Sequence, residues 1–149
     1  MRAVVQRVRS AQVTVGDEVA CEMGEGLLAL VGVGQADTAE TAAVLADRIV
    51  HLRIFSDESD RMNHSLVDTG GALGIVSQFT LYGDARHGRR PSFVAACPAD
   101  RAAPLIEAVV DAARGLGVPV VAGRFQATME VSLVNSGPVT ILLDTEKLF

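Results

Sequence analysis

Apolar and polar positions alternate with a period of two from the start of the chain. Residues 2–9 (Arg-Ala-Val-Val-Gln-Arg-Val-Arg) read as a short strand carrying three arginines, and 11–15 (Ala-Gln-Val-Thr-Val) alternate cleanly. Gly16-Asp17 then supplies a two-residue turn and residues 18–22 return, which is a hairpin pattern. After Gly24-Glu25-Gly26 the run from Leu27 to Val33 is apolar throughout, predicting a strand buried on both faces. The period lengthens beyond Asp37. Val44, Leu45, Ile49 and Leu52 fall at helical spacing, with Asp37 as the predicted N-cap and Glu40 three positions on.

Residues 52–55 (Leu-Arg-Ile-Phe) read as a strand and Ser56 to Asn63 as a polar loop. Ala72 to Leu81 is the predicted central strand, followed by a loop over 82–91. A second helix is expected from Pro98, or from nearer Ala103 because of Pro104, to Gly115. Strands over 118–122, 129–134 and 138–143 complete the chain. Strands outnumber helices and do not alternate with them. The predicted class is α+β: a single domain over residues 1–149, with a largely antiparallel sheet and two main helices.

Composition adds limits. At 149 residues and 49% hydrophobic, with no Trp, the chain can bury a core built mostly of Val, Leu, Ile and Ala. The 18 acidic against 13 basic residues give a net charge of −5, which argues against nucleic-acid binding by bulk charge. Cys21 and Cys97 lie far apart with no ligand spacing around them, so neither a disulfide framework nor a metal is expected. No signal peptide is read at the N-terminus, and no apolar run reaches the ~20 residues of a membrane span. A cytoplasmic protein with no membrane and no DNA partner is expected.

Two stretches break the apolar pattern where it should continue. Ser77, Gln78 and Thr80 stand at the end of the central strand, where a polar group without a partner costs about 1–3 kcal/mol. They read either as a polar strand end or as donors around a reacting carbonyl, with a nucleophilic Ser or Thr conceivable only if a base lies within reach. Gly137-Pro138 reads either as a turn or, if cis, as a place where two main-chain carbonyls point the same way. Arg86, His87, Arg89 and Arg90 form the one dense basic cluster, either a solvated loop or a phosphate contact. His51, His64 and His87 fall into no triad pattern. Phe125 and Met129 read as core, or as a surface on which a base stacks.

Ser77-Gln78-Phe79-Thr80-Leu81 together with Asn135-Ser136-Gly137-Pro138-Val139-Thr140 resembles the D-aminoacyl-tRNA deacylase family. Further matching stretches are Met1-Arg2-Ala3-Val4-Val5-Gln6-Arg7-Val8, Leu52-Arg53-Ile54-Phe55, Met62-Asn63, Gly88-Arg89-Arg90-Pro91-Ser92-Phe93, Gly123-Arg124-Phe125 and Val131-Ser132-Leu133-Val134-Asn135. The resemblance covers essentially the whole chain. It implies a compact, barrel-like homodimer that hydrolyses the ester joining a D-amino acid, or glycine mischarged on tRNA-Ala, to the 3′ end of tRNA. It implies that Ser77, Gln78, Phe79 and Thr80 bind the terminal adenosine and the ester carbonyl. A cis Gly137-Pro138 from the second copy would exclude L side chains. It further implies that the RNA 2′-hydroxyl assists catalysis, with Thr80 as covalent nucleophile the alternative, and that no cofactor or metal takes part. Arg7 and Asn135 are expected to support the site, Phe125 and Met129 to line an adenine pocket, and Arg86, Arg89 and Arg90 to contact tRNA.

Overall fold

The computed structural model describes residues 1–149. Its spine is β1 (Arg2–Val15), one strand of 14 residues where the pattern predicted two. Neither Gly nor Pro falls between the two predicted pieces, so the ladder runs through. On one edge, residues 2–8 of β1 pair with β3 (Gly26–Gly32) and residues 11–15 pair with β2 (Glu18–Met23), both antiparallel. Along the other edge lies β8 (Glu130–Asp144), also antiparallel. β6 (Ala72–Ser77) adds parallel to β3, and β7 (Val120–Ala122) adds parallel to β6. The resulting sheet, β2-β1-β3-β6-β7 with β8 on β1, is mixed and curls into a nearly closed barrel.

The three pairings of β1 make the sheet largely antiparallel, as expected, and the two parallel pairings of β6 are what the pattern did not predict. Each of two long helices follows a strand and returns the chain to the same end, so the next strand must enter parallel. The first, α1 (Ala39–Val50), lies between β3 and β6; the other, α3 (Ala99–Gly115), lies between β6 and β7. A third helix, α2 (Leu66–Thr69), is a single turn capped by Ser65 and was not predicted. The loop expected over 56–63 instead holds a small hairpin of β4 (Phe55–Ser56) and β5 (Met62–His64), and Leu52 to Ile54 are not strand.

The α1 cap is Thr38, not Asp37. The Thr38 hydroxyl accepts from Thr41 N–H, and Thr41 Oγ1 accepts from Thr38 N–H at 2.8 Å. Asp37 is drawn away to a stronger donor: the Met1 ammonium donates to it at 2.6 Å, and Gly34 N–H does so at 2.6 Å. α3 starts at Ala99 with Pro98 as its N-cap and carries Pro104 inside it. Pro104 removes only the bond to the carbonyl of exposed Asp100, which water can satisfy, so the helix is not delayed to Ala103.

Two cores result. Ala3 and Val5 of β1, Leu27, Ala29 and Val31 of β3, and Leu73 and Ile75 of β6 pack on Leu45 and Ile49 of α1 and Val109 of α3. Val8, Ala11 and Val13 of β1 join Leu28 and Val76 in a second, smaller core inside the curl of the sheet. Each fully buried Val, Leu or Ile contributes roughly 1.5–3 kcal/mol. β1 serves both cores because its register with β8 shifts twice, between Gln6 and Val8 and between Val8 and Ser10. No helix is long and apolar enough to cross a membrane.

Candidate active site

β6 ends at Ser77, paired with Val31 of β3, and Gln78 N–H donates to Val31 O at 2.7 Å. The chain then leaves the sheet as a 3-10 turn, Phe79–Tyr82, instead of continuing as strand to Leu81. The turn lies against the end of β3, where a Cβ on Gly32 would stand 2.9 Å from Gln78 O and 3.1 Å from Leu81 Cβ. Leu81 N–H donates to Gln78 O, and Gly83 N–H donates to Thr80 O at 2.9 Å. The main-chain N–H groups of Phe79 and Thr80 have no partner within the chain. The Gln78 side-chain amide donates to Thr80 Oγ1.

Behind this turn is a cavity of about 620 Å³. Ser77, Gln78 and Phe79 form one wall, and Phe125, Thr128 and Met129 of the segment before β8 form another. Cys97 and the first turns of α3, through Ala99, Ala102 and Ile106, close the floor with Val31 and Val76. The walls carry no carboxylate, imidazole, amine or guanidinium. Of the predicted site residues, the fold therefore brings Ser77, Gln78, Phe79, Phe125 and Met129 to one place. Thr80 does not line the cavity; it sits exposed on the outer side of the turn.

The turn is held from behind. Arg2 donates to Leu81 O at 3.1 Å and to the buried Asp144 carboxylate at 3.2 Å, with its guanidinium 4.5 Å from the Tyr82 ring centre. Tyr82 is buried, and burial, with the nearby Asp37 carboxylate second, pushes its phenol well above the ordinary value. Its hydroxyl is therefore a neutral donor to Asp37, at 3.4 Å.

Gly137 and Pro138 lie in the middle of β8, exposed, and do not line the cavity of their own chain. The pattern read two strands here because β8 swells into a bulge. Gln6 pairs with Thr140 and Val8 with Asn135, so four residues of β8 oppose one of β1. The Gly137-Pro138 peptide is cis. Arg7 spans the base of the bulge, donating to Ser136 O at 3.2 Å and to Ile54 O at 2.5 Å. Asn135 closes it: Val139 N–H donates to Asn135 Oδ1 at 3.1 Å, and the Asn135 amide donates to Thr140 Oγ1 at 3.2 Å.

The basic loop divides. Arg86 is tied by two nitrogens to the Asp84 carboxylate, at 2.9 and 2.6 Å, which spends its charge locally. Arg89 and Arg90 are exposed and make no ion pair. The loop is pinched at its base, where Asp84 and Ser92 exchange both main-chain bonds at 2.8 Å. Phe93, the next residue, meets Phe79 edge to face with ring centres 5.1 Å apart. Cys97, Ile106 and Thr128 carried no sequence signal. Only their convergence from α3 and the 123–129 segment marks them.

A family model described as D-Tyr-tRNA(Tyr) deacylase matches residues 4–144. The chain belongs to the D-aminoacyl-tRNA deacylase family. Its members are hydrolases acting on aminoacyl-tRNA, and this chain is an enzyme of that kind. A D-aminoacyl-tRNA deacylase of Desulforudis audaxviator (strain MP104C) is 53% identical over 149 residues, covering 100% of both chains. A solved structure titled c-Myc DNA Unwinding Element Binding Protein superposes with a TM-score of 0.91 at 36% identity, over 97% of this chain and 99% of that one. A probable eukaryotic D-amino acid tRNA deacylase shares the fold, with a TM-score of 0.82 at 19% identity over 95% and 97% of the two chains.

Proposed function

We propose that this deacylase edits by chirality, as a homodimer in the cytoplasm, and that it leaves the proton transfer to its RNA substrate. The terminal adenosine enters the cavity between Phe125 and Met129, bringing the ester carbonyl to the two free N–H groups of Phe79 and Thr80. Such preorganised donors stabilise the charge that develops on the carbonyl oxygen as water attacks. The observation that carries the reading is the chemistry of the walls. They offer an apolar slot with no carboxylate, imidazole or amine, and the unpartnered N–H groups stand on the turn beside it, while an aminoacyl ester is already activated and holds a 2′-hydroxyl beside the reacting carbon. Thr80, exposed and bonded to Gln78, lacks a base for nucleophilic attack.

Gly137 and Pro138 of the second copy complete the site by receiving the α-amino group on their carbonyls. An L side chain would then run into those carbonyls, and a D side chain would point to solvent. Selection is by exclusion, so glycine, which has nothing to exclude, is also a substrate when mischarged on tRNA-Ala. Arg89 and Arg90 meet acceptor-end phosphates, Arg86 less so because Asp84 holds it.

The test is release of amino acid from matched D- and L-tyrosyl-tRNA. The D-ester should be lost with the L-ester intact, and alanine variants of His51, His64 and His87 should each retain activity. Equal loss of both esters, or an acyl-enzyme trapped at Thr80, would overturn the reading.

A further inference from the structure

The cavity has an aromatic ledge outside it that its own walls do not explain. Phe79 is 57% exposed and Phe93 is 38% exposed, although large aromatics otherwise gain most from burial. Their edge-to-face contact, with planes at 69°, leaves ring surface open to solvent beside the cavity mouth. Phe93 is anchored independently of Phe79. It follows directly on the pinch between Asp84 and Ser92, and its ring lies so close to Gly83 that a Cβ there would stand 3.0 Å from Phe93 Cε1. The same pinch places Arg89 and Arg90, with no carboxylate partner, on the loop that leads into Phe93. An open aromatic face next to uncommitted cations is the combination that holds unpaired nucleotides, through stacking and phosphate contact together.

We infer that Phe93, with the outer face of Phe79, stacks the base of the nucleotide preceding the terminal adenosine, and that Arg89 and Arg90 meet the phosphates flanking it. The inference rests on the reading above and extends it by one nucleotide. The terminal adenosine fills the cavity, and the chain leaving its 5′ side must pass the cavity mouth. Phe79 belongs to the cavity wall, Phe93 touches Phe79, and the loop with Arg89 and Arg90 runs directly into Phe93. Phe93 is thus a binding residue for the RNA and not for the amino acid, and its influence falls on affinity and not on the chemical step.

The test compares D-tyrosyl esters on a short RNA ending in CCA with the same RNA carrying an abasic penultimate nucleotide. For the unaltered protein the abasic substrate should raise KM roughly tenfold with kcat changed less than about twofold, the scale of one lost stacking contact. Phe93→Leu should raise KM for the intact RNA by a similar factor and respond no further to the abasic change, and Phe93→Tyr should restore binding. Equal KM values for the two RNAs with the unaltered protein would overturn the inference, and that comparison needs no variant to fold. Additive effects of Phe93→Leu and the abasic change would also overturn it. So would a fall in kcat alone, which would make Phe93 mere packing behind Phe79. A drop to monomer on sedimentation of Phe93→Leu would mean that a second copy of the chain covers the ledge, and would overturn it too. Hydrolysis of both D-esters with equal KM defeats only the ledge. Hydrolysis of neither defeats the deacylase reading and the ledge with it.

Discussion

At the scale of single residues, Gly137 is the position where chemistry and conformation meet. Its φ of +125° is one that L side chains rarely adopt, and an added Cβ would stand 2.7 Å from Val139 Cγ2 and 3.0 Å from Arg7 Nη2. Gly137→Ala therefore strains the bulge and moves the two carbonyls proposed to receive the amino group. Strain of this kind costs about 1–3 kcal/mol, so kcat/KM on a D-ester should fall roughly tenfold or more, and the ratio of D- to L-tyrosyl-tRNA hydrolysis should narrow. Unchanged selectivity in that variant would remove the amino-group capture from the mechanism. The requirement for glycine is readable from Gly-Pro between two apolar runs. That Arg7 and Asn135 fasten the bulge from either side is not, because both bonds depend on which strand lies next to β8.

At the scale of elements, legibility followed how locally each element is determined. Leu27 to Val33 was plain because both faces of β3 are buried, and the helical spacing of Leu45 and Ile49 gave α1. The departure of the chain from the sheet after Ser77 was not plain, since Phe79 and Leu81 continue a strand-like alternation. The turn exists because glycine at the end of β3 leaves room for Gln78 and Leu81, a fact about a neighbouring strand. The basic loop was legible as a cluster, but its internal neutralisation was not. Arg86 side-chain bonds come first, and its main-chain N–H second, in holding the Asp84 carboxyl at about 2. A depressed carboxyl pKa adds stability to the loop above the ordinary value near 4, and that stability disappears as pH falls through the window from about 4 to about 2. Arg86→Ala should move the Asp84 titration, followed by carboxyl NMR, back toward the ordinary value. It should also cost less RNA affinity than Arg89→Ala does. An unmoved Asp84 titration would show that the pair does not exist in solution.

At the scale of the whole molecule, Asp37 ties three distant parts together. It accepts from the Met1 ammonium ahead of β1, from Gly34 after β3, and from Tyr82 at the end of the 3-10 turn. The Met1 and Asp37 side chains are 0% and 4% exposed, so Asp37→Ala leaves a buried ammonium without a counter-charge, a loss of about 3–5 kcal/mol. The melting temperature should fall by roughly 10 °C, with Asp37→Asn intermediate, as read by calorimetry. A change within a degree or two would mean that water reaches the ammonium. The spine itself imposes an order of events on the chain. β1 finds β8 with residues 2–14 against 130–144, so its longest partner is the last strand to be made. Contacts of such sequence separation require the loop between them to close before they reward it. While β8 is still unmade, β1 holds β2 and β3 along one edge and lies open along the other. The bulge that carries Gly137 and Pro138 is defined against β1, so the surface proposed to select one mirror image exists only once the two ends of the chain have met.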